Sequence, residues 1–350
     1  MVKVVEVRGL VKVYEGPGKR QVRALDGIDL ATDRGECVVL LGPPGSGKTT
    51  LLRAVSGLEA PTAGEVHLGG HLMNGLPPRI RRVGLVAASH ALYPHKTVRG
   101  NIEFPLKAER VPRGTRERKA RWAADLLGIA HLLDRRPGRL SGDERRRVAL
   151  ARAVAREPAV LLLDEPLSDV DGRLRAAARD ELRSLQRRLG TAMICVTHDQ
   201  AEAMGLGDRV AVLDAGRFRQ VGTPQDLYEE PVDTFVATVI GTPPMNLVPR
   251  GDRLVGFRPE HLLPAEEVPP DGRVTMPLRV DRIEFLSGDR HVYGRVSRIC
   301  PETRVIARLP ATVTTPLAAG EAREFAVPAD RLRFFDAEYG NRTAPVRIAG

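Results

Sequence analysis

The sequence is poor in cysteine, in aromatic residues and in long apolar runs. Its three cysteines, Cys37, Cys195 and Cys300, form neither a metal-binding spacing nor a disulfide framework, which predicts a reducing, cytosolic environment. Only 4% of the residues are aromatic, which argues against a surface that stacks on nucleic-acid bases. No apolar run approaches the ~18 residues that span a bilayer. The N-terminal segment alternates like a strand and lacks the apolar core of a signal peptide.

The chain is rich in arginine, and its overall composition is that of an ordinary globular protein. The 350 residues are 42% hydrophobic and 28% charged, enough for one large and one small domain. The net charge of +10 predicts an anionic partner, which could be a nucleotide, a membrane surface or nucleic acid. A basic run at the start of segment 115–133 indicates either a solvated helix face or a contact with anionic lipid.

The most informative motif is GPPGSGKTT, which fits the pattern G-x-x-x-x-G-K-S/T. An all-apolar run, 37–41, precedes it and a helical pattern follows it, so the motif has the strand, turn and helix context of a phosphate-binding loop. The alternative is a Gly/Pro-rich surface turn with a chance lysine. The residues assigned to phosphate binding are Gly42, Pro43, Pro44, Gly45, Ser46, Gly47, Lys48, Thr49 and Thr50.

Each part of this loop has a chemical reason. Glycines let backbone N–H groups converge on phosphate oxygens, and the following helix N-terminus adds positive potential. Lys48 is expected to reach the β- and γ-phosphates, and the Thr49 hydroxyl is expected to bind Mg²⁺.

Strands and helices alternate along the first two thirds of the chain, which predicts an α/β fold with a mainly parallel, doubly wound sheet. One apolar strand, 159–163, delivers Asp164 and Glu165 at its carboxyl end, where such sheets place metal and water chemistry. A helix is predicted over 115–133, with an inward apolar stripe that includes Trp122. Another begins at Ser141, which forms a capping box with Glu144.

From about residue 241 prolines become frequent, helical periodicity stops and short strand-like runs follow. This change predicts a domain boundary, with residues 1–240 as the nucleotide-binding domain and 241–350 as a small all-β domain, barrel-like on strand spacing. A helical subdomain is expected at about 88–157.

Four landmarks occur in a fixed order: the phosphate loop, Leu-Ser-Gly-Asp-Glu at 140–144, the strand ending in Asp164 and Glu165, and Thr-His-Asp at 197–199. Together they resemble the nucleotide-binding subunit of an ABC transporter. Segments at 91–95, 167–171, 240–246 and 255–264 extend the similarity, over nearly the whole chain, to the maltose and glycerol-3-phosphate class of carbohydrate-importer ATPases. The implied fold is an ABC-type P-loop domain with a helical subdomain, followed by a small OB-like regulatory β-barrel.

The resemblance also implies roles for single residues. Tyr14 matches the aromatic residue that stacks on adenine, and Asp171 belongs to a loop that crosses to the other subunit. Asp164 matches the carboxylate that positions Mg²⁺ beside Thr49. Glu165 matches the general base, and His198 the histidine that contacts the γ-phosphate. Ser141 and Gly142 match the segment that closes over the partner's ATP.

The implied cofactors are ATP and Mg²⁺, and the implied partners are other protein subunits. Two ATPase subunits, here a homodimer, sandwich two ATP molecules between one chain's phosphate loop and the other's Leu-Ser-Gly segment. The pair binds transmembrane permeases at the cytoplasmic face of the membrane and indirectly serves an extracytoplasmic solute-binding protein. No nucleic-acid partner is expected.

Two departures from the family pattern bear on turnover. Ala88 stands where a glutamine is expected to contact Mg²⁺ and water, and an alanine side chain can do neither. Asp143 and Glu144 stand where the family has Gly-Gln. Their charges favour the helix N-terminus but repel a triphosphate, by at most roughly 4 kcal/mol per charge pair at ~4 Å and an effective dielectric of ~20.

Three functions compete on these grounds. The leading one is a catalytic importer subunit that hydrolyses ATP to drive solute uptake. The second is a divergent subunit that binds ATP, hydrolyses it weakly and has a regulatory or structural role, which the two departures favour. The third is an ATPase that acts on DNA or ribosomes, which the net charge allows but the importer-like C-terminal half disfavours.

Overall fold

The structure, a computed structural model, describes residues 3–16, 21–296 and 303–345. The chain divides into two compact units, Met1–Pro224 and Gln225–Gly350. No helix among the described residues is long and apolar enough to cross a membrane.

The first unit contains ten strands and six helices within its described residues. The strands are β1 (Val5–Glu15), β2 (Gln21–Thr32), β3 (Cys37–Leu41), β4 (Ala63–Leu68), β5 (His71–Leu72), β6 (Val83–Val86), β7 (Val160–Asp164), β8 (Ala192–Thr197), β9 (Arg209–Asp214) and β10 (Arg217–Gly222). The helices are α1 (Lys48–Ser56), α2 (Val98–Ala108), α3 (Arg113–Leu126), α4 (Gly142–Val154), α5 (Gly172–Leu189) and α6 (Gln200–Leu206).

A six-stranded sheet with the order β10-β9-β3-β8-β7-β6 is the centre of this unit. Strands β9, β3, β8, β7 and β6 pair in parallel, and only β10 is antiparallel to its neighbour. Every residue of β3 and β8 is buried, as expected for strands covered on both faces. Because parallel strands end at the same edge, the segments after β3, β7 and β8 come together there.

An antiparallel sheet of order β2-β1-β4-β5 packs on the central sheet. Buried side chains from both sheets and from α1 form one core cluster, which includes Leu10, Leu25, Leu40 and Leu52. This shared core fixes the β1–β2 hairpin against the segment between β3 and α1.

Helices α2, α3 and α4 form the predicted helical region, but α3 ends at Leu126 and its inward face differs from the prediction. The buried residues of α3 are Ala120, Ala123 and Ala124, whereas Trp122 is 41% exposed. The stripe prediction was therefore wrong for Trp122, because small alanines let α3 pack closely and leave the large ring outside.

The second unit begins with two short helices and continues as strands. Its helices are α7 (Pro224–Glu229) and α8 (Thr234–Val239). Its strands are β11 (Asn246–Arg250), β12 (Arg253–Phe257), β13 (Leu263–Pro264), β14 (Arg273–Leu286), β15 (Asp289–Val296), β16 (Thr303–Leu309), β17 (Ala322–Pro328), β18 (Arg333–Asp336) and β19 (Arg342–Thr343).

These strands form two antiparallel sheets, β11-β12-β18-β19 and β13-β17-β14-β15-β16, around a shared apolar core. The all-β character predicted for this half is confirmed. Along the chain, the boundary between the two units follows residue 224, whereas the predicted boundary follows residue 240. Segment 225–240 belongs with the β unit because Ala237 of α8 is buried against Met245 and Phe335.

Candidate active site

The phosphate loop is held so closely by its surroundings that two of its positions require glycine. A Cβ on Gly42 would lie 2.1 Å from the Leu213 carbonyl oxygen, and a Cβ on Gly47 would lie 2.3 Å from that of Ala24. Gly47 also has φ +107°, a conformation that L-residues rarely adopt. The loop therefore presents backbone rather than side chains to whatever binds above it.

Lys48 lies inside this loop and is only 5% exposed. Its Nζ donates to the carbonyl oxygens of Gly42 and Pro43, both at 2.8 Å, and to Ser46 Oγ at 3.3 Å. Burial lowers the pKa of Lys48, while the carboxylates of Asp164 and Glu165 oppose that change. The ammonium group is thus positioned in the cradle next to both carboxylates.

Thr49 and Asp164 form the candidate magnesium site. The Thr49 hydroxyl donates to Asp164 Oδ1 at 3.0 Å. Neighbouring ligands of an octahedral Mg²⁺ with bonds of ~2.1 Å lie about 3.0 Å apart, so this oxygen pair fits the ion. The described residues contain no cluster of three acidic, histidine or cysteine side chains that could hold a metal.

Glu165 and His198 follow neighbouring strands and meet at the same edge. His198 Nδ1 lies 3.1 Å from Glu165 Oε1. Glu165 has φ +47°, an uncommon conformation for a non-glycine residue, and its N–H donates to the Val196 carbonyl oxygen at 3.0 Å. The strand β8 therefore fixes the backbone of Glu165 while its side chain points to His198.

Tyr14 lies on β1, on the hairpin that contacts the loop. It pairs with Val22 of β2, and two residues further along β2 the Ala24 carbonyl oxygen lies against Gly47. Lys12 Nζ lies 4.8 Å from the centre of the Tyr14 ring. Tyr14 is half-buried, so part of its ring surface is accessible.

The remaining predicted residues, Ser141, Gly142 and Asp171, lie in a second place. Ser141 caps α4, and Asp171 caps α5 by accepting from the Arg173 N–H at 2.9 Å. Gly142 and Asp171 line a cleft of 800 Å³, and the residues described as lining it include none from the phosphate loop. Within one chain, the predicted site is therefore divided between two locations.

The charge of Asp143 is compensated by two neighbouring arginines. Asp143 Oδ1 lies 2.6 Å from Arg146 Nη2, and its Oδ2 lies 2.8 Å from Arg147 Nε. Both arginines also contact Glu181 of α5, at 3.1 and 3.2 Å. Burial would raise the pKa of Asp143, but the hydrogen bonds and charges of the two arginines outweigh burial and lower it. The carboxylate is held by cations instead of facing a ligand alone.

Ala88 lies in a turn after β6 and is half-buried. Its neighbour His90 is 8% exposed, has φ +46°, and its Nε2 has no hydrogen-bond partner among the described residues. His90 lines the cleft with Gly142 and Asp143, not the phosphate loop. In the part of the chain that the structure describes, His90 therefore does not take the place of the glutamine expected at the Mg²⁺ site.

Sequence reasoning missed Arg146 and Asn101. Arg146 is 2% exposed and joins α4 to α5; its spacing of three residues from Asp143 was the available signal. Asn101 is fully buried and pins the segment after Ala88: it accepts from the Tyr93 N–H at 2.7 Å and donates to the Thr97 carbonyl oxygen at 3.0 Å. No local pattern marks such an asparagine.

Comparison with known proteins decides the family. The profile of the family described as ABC transporter matches residues 25–168. An sn-glycerol-3-phosphate import ATP-binding protein (UgpC) of Rhodopseudomonas palustris (strain BisB18) is 41% identical over 95% of this chain and 97% of its own length. The chain belongs to the ABC transporter family of ATP-binding proteins.

Other relatives agree. A protein of the same description from Rhizobium etli is 46% identical over 79% of this chain and 83% of its own length. A solved structure of a dimeric ATP-binding cassette, in a post-hydrolysis state bound to ADP and Pi, is 30% identical with a TM-score of 0.57. It covers 63% of this chain and is itself matched over 98% of its length.

The predicted family, fold and activity are thereby confirmed. This ABC protein is an ATPase of the importer type that uses ATP with Mg²⁺. The fit of Thr49 and Asp164 to Mg²⁺ is consistent with this assignment.

Proposed function

We propose that two copies of this chain form an ATP sandwich that drives uptake of a carbohydrate or a related phosphorylated solute at the cytoplasmic face of a membrane. The observation that carries the catalytic part is the meeting of Lys48, Asp164, Glu165 and His198 at one sheet edge. The solute class comes from the relatives, whose names specify sn-glycerol-3-phosphate import. An extracytoplasmic solute-binding protein would deliver that solute.

The residues perform separable steps. Backbone N–H groups of the loop and the Lys48 ammonium bind the phosphates. Thr49 and Asp164 would hold Mg²⁺, which would neutralise charge on the phosphate oxygens. The Glu165 carboxylate accepts a proton from the attacking water. His198, 3.1 Å from Glu165, orients that carboxylate and donates toward the γ-phosphate.

The second half of each site comes from the other copy. Ser141 and Gly142 sit at the N-terminus of α4, and Gly142 lines a cleft whose wall includes no residue of the phosphate loop. A helix N-terminus placed opposite a phosphate loop would bind a phosphate from both sides. A two-fold pair of chains would supply that arrangement twice.

A groove beside the edge strand β6 is suited to a permease helix. Its volume is 950 Å³, and Ile80, Tyr93 and Phe104 are among the side chains that line it. Ile80 is 51% and Phe104 38% exposed, and the rings of Tyr93 and Phe104 pack at 4.4 Å. An amphipathic helix can insert apolar side chains into such a groove. The segment that follows Ala88 joins this groove to the sheet edge of the active site.

Glu165→Gln tests the assigned activity. The substitution keeps size and hydrogen bonding but removes the base, so hydrolysis should fall by about 10²–10⁴-fold. ATP should then stay bound between two chains, and light scattering with Mg-ATP should show more dimer than for the unsubstituted protein. Equal hydrolysis rates for the two proteins would refute the role of Glu165.

The alternative, a weakly hydrolysing regulatory subunit, is favoured by Ala88. Ala88→Gln should then raise the ATPase rate with little change in the ATP affinity of the monomer, because the phosphate loop is untouched. An unchanged rate would mean that this chain hydrolyses ATP without the missing amide. Measurement in the presence and absence of the permease separates intrinsic from coupled turnover.

A further inference from the structure

The first unit has a second cleft at the opposite end of its central sheet. It has a volume of 640 Å³, and its wall includes Lys3, Arg34, Arg82, Trp122, Glu157 and Arg188. We call it the amino-end cleft, because its wall includes residues that directly precede strands β6, β7 and β8 and lie just before β3. The phosphate loop and the catalytic residues follow the other ends of β3, β7 and β8. The five-residue strand β3 alone spans roughly 17 Å, so the two sites are distinct.

Three arginines of the amino-end cleft are uncompensated. Arg34, Arg82 and Arg188 are exposed, and none of their side chains makes a hydrogen bond or ion pair with another described residue. Elsewhere in this unit many arginines are paired, as Arg183 is with Asp208. Three unpaired guanidinium groups around one concavity produce a local positive potential.

The acidic residues near the cleft do not cancel this charge, because cations already hold them. Glu157 Oε2 lies 3.4 Å from Lys119 Nζ. Asp33 Oδ2 lies 2.7 Å from the Nζ of Lys3. The two carboxylates thus balance two lysines and leave the three arginines available.

The backbone of the cleft wall is held in an uncommon conformation. Arg82 has φ +50° and Glu157 has φ +49°, and neither is a glycine. The Ala159 N–H donates to the Arg82 carbonyl oxygen at 3.0 Å, which ties the two segments together. Such conformations cost free energy and concentrate at functional sites.

Trp122 adds an accessible aromatic surface to the cleft. It is the only tryptophan of the chain and is 41% exposed on α3. An indole ring can pack against the planar or apolar part of a ligand whose charged part faces the arginines.

We propose that the amino-end cleft binds a phosphorylated small molecule with at least two negative charges. Guanidinium groups match phosphate oxygens with paired hydrogen bonds. The volume of 640 Å³ lies within the range of small-molecule sites, roughly 300–1,000 Å³. This site is separate from the ATP site, and the proposal does not depend on the solute that is transported.

Trp122 makes the proposal directly testable, since all intrinsic tryptophan fluorescence comes from the cleft. The full chain is titrated with inorganic pyrophosphate and with AMP, and Trp122 fluorescence and calorimetric heat are recorded. We expect a saturable signal with at least one probe. No saturable fluorescence change or heat with either probe would overturn the proposal.

The last turn of α5 offers a matched pair of variants. Arg187 and Arg188 are both exposed basic residues of that turn, but only Arg188 lines the cleft. Arg188→Gln should weaken probe binding roughly tenfold, the loss of one charge-assisted contact, whereas Arg187→Gln should leave it unchanged. An equal loss in both variants would indicate general charge attraction and contradict a defined site.

A second variant separates this site from the ATP site. In Lys48→Ala the amino-end cleft is intact, so the Trp122 fluorescence titrations should give an unchanged affinity for the probes. Loss of the signal in Lys48→Ala would assign the binding to the phosphate loop and overturn the proposal.

Discussion

Helices α1 and α4 both begin at a segment assigned to phosphate, but their first turns are built differently. Before α1, Gly47 provides no capping side chain, and the first turn contains no acidic residue. Before α4, Ser141 Oγ accepts from the Glu144 N–H at 3.2 Å, and Glu144 Oε2 accepts from the Ser141 N–H at 2.7 Å. The first turn of α4 also carries Asp143.

This difference between the two helix N-termini indicates that α1 and α4 have different roles in binding ATP. A helix N-terminus without caps has unsatisfied N–H groups and a positive end, which together form an anion site. The α4 terminus satisfies some of its own donors and adds negative charge, so it is stable without a ligand. We therefore expect ATP affinity to reside at α1, and α4 to contribute mainly when a second chain closes over the nucleotide.

The largest effect is expected when the α1 site loses its cation. Lys48→Ala should abolish the ATP-dependent rise in melting temperature, which in the unsubstituted chain grows as RT ln(1 + [L]/Kd). Lys107→Ala is the control, because Lys107 is an exposed residue of α2 outside the loop. An unchanged thermal shift in Lys48→Ala would remove Lys48 from the site.

A smaller effect is expected at the α4 site. Asp143→Gly leaves the buried Arg146 with Glu181 as its one carboxylate partner among the described residues and removes a favourable first-turn charge. We expect a loss of unfolding free energy on the order of 1 kcal/mol and no gain in ATPase rate, because Asp143 is already neutralised by two arginines.

Asp180→Asn provides the control for Asp143→Gly. The Asp180 side chain is 77% exposed on α5, so its loss should leave stability nearly unchanged. A faster ATPase with unchanged stability in Asp143→Gly would show that the carboxylate repels phosphate despite its ion pairs.

The smallest effect is expected in the pH dependence of Mg²⁺ binding at Thr49 and Asp164. Burial raises the pKa of Asp164, although the hydrogen bond from Thr49 opposes the rise. A proton competes with Mg²⁺ for this carboxylate, so the Mg²⁺ requirement should increase as pH falls toward a pKa above the ordinary aspartate value. Titration of Mg²⁺ at several pH values measures the effect. If the Mg²⁺ requirement changes with a midpoint at or below the pKa of an ordinary aspartate, the raised pKa of Asp164 is contradicted.

The parts of the site that are local in sequence could be predicted. The loop around Lys48, the carboxylates after β7 and the capping box at Ser141 each follow from a few neighbouring residues. The α/β order of the first unit and the strands of the second also follow from periodicity.

What could not be predicted depends on contacts between distant segments. The pairing of Asp143 with Arg146 was visible as a spacing, but Glu181 completes it from another helix. Trp122 suggested a buried stripe, yet alanines set the packing distance of α3 and leave the ring exposed. The amino-end cleft joins segments far apart in the chain, and nothing local in the sequence indicates it.

The most direct test of the comparison places Ser141→Arg in the Glu165→Gln background. If α1 binds ATP by itself and α4 acts on the nucleotide of the other chain, this protein should keep an ATP-dependent thermal shift, reduced only by the contribution of dimer formation. It should form no ATP-dependent dimer by light scattering. A dimer that persists, or a thermal shift that disappears, would contradict the account.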